Sequence, residues 1–549
     1  MRRIILFVVL LALAASLLAQ NAGISQSACR IEGSVVDVVT GQPLRGAQVF
    51  ARGMPMSGAV AGQVGSTTTD ANGEFRLDNL APGRYMVRAS HSGYVARGRR
   101  GAGMAPQMLS LAPGQHVDGV VLSLTPGGAI NGHITDEEGR FLAGVSVELM
   151  RYSYTEGKRE FDTVANVSAD AAGEYRMVGL APGTYYLRAT SPARKQTKAG
   201  SDKAYVPLYY PRAFDQAGAA ALEVRAGEEL GGIDISFTPV HTVRITGQVI
   251  DARTALPSQS AEVTLLSDQG NTSFPPGEVS ADAKGGFEFR GVPPGSYILA
   301  AQSSSGKGKQ EGKLVWGRIP VEVADVNVTG VKLSVGPGVE VSGRIRVEGK
   351  TGLDLGKLAG VLEPREGSAL ANLMPEVENA PVKPDGTFVF RDVPEGNYEL
   401  DFSALPAGFY LKASGETDVL ETGIAVGRGH GIPLLELTVS HAAAMITGTV
   451  SNDDQPAAGV PVALVPDAPR QHQRRFYKTS VSDKLGRFAL RGIAPGDYRL
   501  FALDQVDRDA LLNPDFLRQY EDRGQAVHVE ENTQANVQLE VIATGEAAQ

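Results

Sequence analysis

Asp70-Ala71-Asn72-Gly73-Glu74-Phe75, followed by Leu80-Ala81-Pro82-Gly83-Arg84-Tyr85, is one copy of a pattern that the chain writes five times. It returns at Asp170 to Tyr175 with Leu180 to Tyr185, then around Gly285 and Gly295, Gly386 and Gly396, and Gly486 and Gly496. The two glycines of a copy are always ten residues apart, and the first of them stands at 73, 173, 285, 386 and 486. A spacing near a hundred residues is domain-sized rather than solenoid-sized. Glu74-Phe75-Arg76-Leu77-Asp78 alternates polar and apolar residues, and Tyr85, Val87 and Ala89 share one face of the next run, the period of half-buried strands. Asp-x-x-Gly reads as a tight turn in which the Asp side chain accepts backbone N–H groups. Pro82-Gly83 predicts a second turn, with glycine left-handed, that joins two strands of a hairpin. The fourth copy departs from the pattern, with Lys383 for Asp and Glu395 for Pro.

Working outward, each copy opens on apolar-x-Gly-x-apolar, as in Ile31-Glu32-Gly33-Ser34-Val35 and Ile446-Thr447-Gly448-Thr449-Val450. Each closes on an alternating run, as in Val120 to Leu124 and Val537 to Val541. Many short strands between Gly and Pro turns predict an all-β chain of five tandem antiparallel β-sandwiches in an elongated array. The expected segments are a signal peptide at 1–19, a linker at 20–28, and sandwiches at 29–126, 127–240, 241–336, 337–442 and 443–549.

Gly-x-Val at the opening, Asp-x-x-Gly-x-Phe in the middle and Leu-x-Pro-Gly-x-Tyr after it resemble the carboxypeptidase regulatory-like domain, in register five times. The resemblance implies that each copy is a transthyretin-like Greek-key sandwich, related to Cna-B-type stalk domains and starch-binding-like modules. One fold hosts many roles, so function must be read from sites. Cna-B-type domains often carry a Lys–Asn isopeptide bond assisted by an acid four residues after the motif tyrosine. Here those positions hold Ala89, Ala189, Ala301, Phe402 and Ala502, so no isopeptide bond is expected.

Met1-Arg2-Arg3 followed by the apolar run Ile4 to Ala19 reads as a secretory leader, cleaved after Ala19 or retained as an anchor. It places the chain in the periplasm, at the outer surface or outside the cell, with no further membrane span expected. Cys29, the single cysteine, excludes an intramolecular disulfide. A net charge of −9 disfavours nucleic acid. Two local basic loops, Arg97 with Arg99 and Arg100, and Arg470 with Arg474 and Arg475, read as solvated surface.

Catalytic constellations are missing from the pattern. His528-Val529-Glu530-Glu531 matches the short half of a zinc carboxypeptidase motif, but no histidine follows it. Asp70-Ala71-Asn72-Gly73 begins like a calcium loop that no Glu closes. No metal, cofactor or catalytic residue is assigned, and the chain is expected not to be an enzyme. The candidate binding residues are aromatic: Tyr152 and Tyr154 in one loop of the second repeat, Tyr205, Tyr209 and Tyr210 in its long insertion, and Trp316 in the third. Exposed rings stack on the C–H faces of sugars, with Asp202, Lys203 and Arg212 nearby for hydroxyls. The other reading of these rings is packing of the insertion on its own sandwich. Pro514, Phe516, Leu517 and Tyr520 predict a short amphipathic helix covering an open end of the fifth sandwich. The expected function is carbohydrate binding by an exported, non-catalytic array. The alternative is a structural or protein-binding envelope spacer, and the third reading an accessory array of a peptidase or glycosidase system. The partner is accordingly a polysaccharide or an envelope protein; oligomeric state is not legible.

Overall fold

The computed structural model describes residues 28–54, 64–96, 107–192, 203–267, 277–304, 314–349, 352–365, 367–414, 418–427, 431–504 and 506–544. The leader, most of the linker, Asp202 and the basic loop at Arg97, Arg99 and Arg100 lie outside them. No helix among the described residues is long and apolar enough to cross a membrane.

The first repeat shows how the motif builds a sandwich. Its opening strand, Cys29–Asp37, pairs antiparallel with Glu74–Leu80 on one side and parallel with the closing strand, His116–Pro126, on the other. The second sheet runs Val64–Thr68, Gln48–Gly53, Gly83–Ser90, Gln107–Leu111, all antiparallel neighbours. Ile31, Val35, Phe75 and Leu77 from the first sheet meet Val49, Ala51, Tyr85 and Val87 from the second in one core. The order recurs in the third repeat with Val243–Asp251 between Gly286–Val292 and Val328–Val335, and in the fourth with Val339–Val347 between Thr387–Val393 and Leu435–Ser440. In the fifth, Ala444–Asn452 lies between Arg487–Ile493 and Gln534–Glu540. In the second, Ile235 pairs in parallel with Ile134 of the opening strand.

The expected hairpin across Pro-Gly is not a hairpin. Glu74–Leu80 and Gly83–Ser90 belong to opposite sheets, so the turn is an arch that carries the chain over the core. The reason lies at the end of the first strand, where the register with the opening strand shifts between Cys29 and Ile31. The left-handed residue sits there, at Asn79, and in the other copies at Gly179, Gly291, Asp392 and Gly492 (φ 56–73°). Small or Asx residues tolerate that conformation. The Pro-Gly glycines Gly83, Gly183, Gly295 and Gly496 do have positive φ, at 152–157°, which L side chains rarely adopt; Gly396, which follows Glu395 rather than Pro, is not among the positive-φ glycines.

Three motif positions have mechanical roles. A Cβ on Gly33 would lie 1.9 Å from the carbonyl oxygen of Val120 in the closing strand, and one on Gly448 would lie 2.2 Å from that of Val537. Only glycine lets the parallel strands approach there. The motif tyrosine ties the arch: the hydroxyls of Tyr85, Tyr297, Tyr398 and Tyr498 donate to the carbonyl four residues upstream at 2.8–2.9 Å. This is the logic of a tyrosine corner. The Asp turn is as expected, Asp70 Oδ1 accepting the N–H groups of Asn72 and Glu74, with equivalents at Asp170, Asp282 and Asp483. In the fourth copy Asp385, two residues after Lys383, takes over and accepts from the N–H and Oγ1 of Thr387.

The chain divides into two compact units. One holds the described residues up to Ile130 together with Met177–Gly183 and Glu223–Leu230; the other holds Asn131–Arg176, Thr184–Leu222 and the described residues from Gly231 onward.

Candidate functional site

Within the larger unit the aromatic candidates do not converge on one pocket. Tyr152, on the strand Ser146–Thr155, faces its cross-strand partner Phe161 with ring centroids 4.2 Å apart and planes 16° apart. The guanidinium of Arg159 covers it at 4.0 Å. Phe161 in turn stacks towards Tyr209 at 6.3 Å and 25°, and Tyr186 meets both Tyr152 and Phe161 edge-on or tilted. Tyr209 is 3% exposed. Tyr209, Phe161, Tyr152 and Arg159 thus form one stack that fills its ring faces from within the repeat, on the outer side of the sheet. Phe161, Tyr186 and Arg159 complete this cluster. Their signal was the cross-strand register, which puts residue 152 opposite residue 161 and residue 150 opposite residue 186.

The remaining candidates lie elsewhere. Tyr205 packs edge-on against Phe237 at 5.6 Å, and its hydroxyl donates to Glu137 at 3.3 Å. Tyr210 precedes a cis peptide bond to Pro211, and its N–H donates to the carbonyl of Leu187. Tyr154 meets Phe516 of the fifth repeat edge-on at 5.4 Å. Trp316 is 3% exposed and joins the core of the fourth repeat with Leu266 and Ala300. Its backbone pairs with Gly336, at the boundary of the third and fourth repeats.

The basic loop at Arg470 is not a solvated loop. Arg470 Nε pairs with Glu421 of the fourth repeat at 2.6 Å, while its Nη1 donates to the carbonyl of Pro495 at 2.7 Å. Gln473 reaches the carbonyl of Glu421, and Arg475 that of Leu400. Burial pushes the Arg475 guanidinium below its ordinary value. Arg474 Nη1 lies 2.8 Å from Glu156 of the second repeat and 3.5 Å from Glu363 of the fourth, so one side chain touches both. These carboxylates attract the arginines across repeat boundaries, a placement that a local charge count cannot reveal.

His528 and Glu531, the short metal motif, serve different contacts. His528 Nδ1 lies 2.6 Å from Asp497, which holds the imidazole above its usual 6.5. Glu531 accepts from Lys412 and from the hydroxyl of Tyr410 at 2.6 Å, and Lys412 also reaches Glu348 at 3.0 Å. The Lys412 bond first, and the Tyr410 bond after it, hold Glu531 below the usual carboxylate value. Among the described residues no three His, Cys, Asp or Glu are grouped to hold a metal ion.

The predicted helix exists as Pro514–Arg518, with Pro514 in its first turn and Asn513 capping the N–H of Phe516 at 2.7 Å. Short 3-10 turns flank it at Ala510–Leu512 and Glu521–Arg523. Phe516, Leu517 and Tyr520 are buried against Ala463, Val465 and Phe501, with Tyr477 and Leu503. The insertion therefore covers the outer face of a sheet rather than an open end. That sheet's strand Pro461–Pro466 is buried at every position. An unbroken apolar run in place of alternation is the signature of a strand covered on both faces.

With this geometry in hand, residues 30–118 and 129–207 match the carboxypeptidase regulatory-like domain family. The three later repeats share their motif and strand order. No curated protein sequence matches the chain. Among solved structures it is similar to a streptococcal ancillary pilin at 14% identity, over 56% of this chain and 99% of that one, with a TM-score of 0.21. It is also similar to GBS52, the minor pilin of Streptococcus agalactiae, at 16% identity, over 38% and 96%, with a TM-score of 0.22. For the Bacillus anthracis TIE protein the figures are 15% identity, 77% and 76% coverage, and a TM-score of 0.16.

Proposed function

We propose that the chain is an exported, non-catalytic scaffold of the cell envelope, whose larger unit joins its repeats by specific side-chain contacts and presents surface to an envelope protein. The observation that carries this reading is the use made of its unusual side chains. Arg470, Arg474 and Arg475, Tyr154 and Trp316 are all committed to contacts across repeat boundaries. An array that only displayed independent sugar-binding modules would have no need of such joints. The stack of Tyr209, Phe161 and Tyr152 under Arg159 also occupies the ring faces that a pyranose would need.

The test is a polysaccharide screen of the chain from Gln20 onward, together with fractionation of cells that express the full sequence. The expected result is export with no retention on any glycan surface. Retention that Tyr152→Ala abolishes, with the second repeat still folded, would restore the carbohydrate reading. Turnover of a peptide or glycoside by the pure chain would overturn both.

A further inference from the structure

The second repeat carries a β-hairpin longer than its sheet requires. Ser146 to Met150 pair on one side with Tyr186 to Thr190, but Arg151 to Thr155 pair only with Lys158 to Asp162. The arm beyond Met150 therefore has one pairing partner per strand, and a two-stranded ribbon by itself is marginal in water. The stack at Tyr152, Phe161 and Arg159 stiffens the base of this arm. Its tip is a two-residue turn with both central residues at positive φ, Glu156 at 53° and Gly157 at 81°. Such turns suit the twist of a tight hairpin.

The tip ends in the fifth repeat. Asn513 Nδ2 donates to the carbonyl of Gly157 at 2.8 Å, while the same side chain's Oδ1 caps Phe516. The Glu156 N–H points to Asp509 Oδ2 at 3.4 Å. Tyr154 packs on Phe516, Arg474 pairs with Glu156, and Lys158 donates to the carbonyl of Pro364 at 3.2 Å. Space at the tip is exhausted: a Cβ on Gly157 would lie 2.7 Å from the carbonyl oxygen of Leu512.

We infer that this arm is a latch, and that the loop around Arg474 and the helical insertion around Asn513 in the fifth repeat form a receptor for a glycine-tipped hairpin, filled by the chain's own second repeat. Asn513 couples the two halves. It caps the short helix with one end of its amide and holds the latch with the other, so seating the tip orders the insertion. The inference stands apart from the envelope reading, because it concerns how the chain is held together and not what it contacts.

The experiment uses the chain from Gln20 onward with Cys29→Ser, carrying Glu156→Cys and Asp509→Cys, and a short bis-maleimide. The expected product is an intrachain cross-link, seen as a mobility shift and one added linker in the intact mass. Unlinked thiols would overturn the latch. Interchain dimers would overturn the assignment of the hairpin to its own chain. The second variant, Gly157→Asn, keeps a residue that tolerates positive φ but adds the colliding Cβ. It should cut cross-linking and speed amide exchange at Phe516 about tenfold, the loss of roughly one net hydrogen bond, while exchange at Ser146 to Met150 stays as it was. Unchanged cross-linking and exchange in Gly157→Asn would sink the inference.

Discussion

The turn at Asp483 and the loop at Arg470 to Lys478 lie in the same repeat and are both rich in charge, yet they do opposite kinds of work. Asp483 has a counterpart in the first, second and third repeats and a displaced one at Asp385 in the fourth. Its bonds are local, to the N–H groups of Leu485 and Arg487. Arg474 belongs to a loop with no counterpart in the motif, and its partners are Glu156 and Glu363, far away in sequence. What every copy contains builds the sandwich. What one copy alone contains joins sandwiches together.

That contrast is broken most directly at the opening glycine. Gly448→Val forces a side chain into the closing strand and should cost more than about 3 kcal/mol, by overpacking at a site with no slack. Thermal unfolding should show the fifth repeat lost. A melting profile unchanged from the wild type would mean the parallel pair can part at no cost. One step down, Tyr297→Phe removes the bond to the Pro293 carbonyl in a ring whose burial pushes its pKa up to about 12. A loss of about 1 kcal/mol is expected in denaturant unfolding of the third repeat. An effect near zero would show that water replaces the hydroxyl.

Asn513→Ala acts on the other side of the comparison. Losing the helix cap should cost about 1 kcal/mol, and losing the bond to Gly157 should reach the second repeat as well. Amide exchange read at both ends tests this; a change confined to the fifth repeat would leave Asn513 a cap only. The smallest effects are electrostatic and have opposite signs with pH. Glu348, chiefly through Ser440 and then Lys412, and Glu531, chiefly through Lys412, are held below the usual 4.5. Their contribution is complete above that value and vanishes as pH falls through the lowered one. His528 is held above 6.5 by Asp497, so its contribution is complete below 6.5 and fades as pH rises past the raised value. Melting curves of Glu531→Gln and His528→Ala should converge on the wild type at low and at high pH respectively. Divergence that grows towards those limits would reverse the assignment.

The sequence by itself determined the strands, the buried faces and the tight turn at the first glycine of each repeat. Those follow from residues that are neighbours in the chain, through alternation and the backbone freedom of Gly and Asx. It also carried a readable sign of added contact, since Pro461 to Pro466 is apolar throughout where a one-sided strand would alternate. Tertiary structure alone decided which sheet each strand joined, and so turned the expected hairpin at Pro82-Gly83 into an arch. It alone also decided that Tyr152 stacks under Arg159, that Trp316 enters the fourth repeat's core and that Arg474 bridges two repeats. Alternation fixes which face of a strand is buried but says nothing of what lies against it, and a charged or aromatic side chain looks the same in sequence whether it meets water or a partner hundreds of residues away.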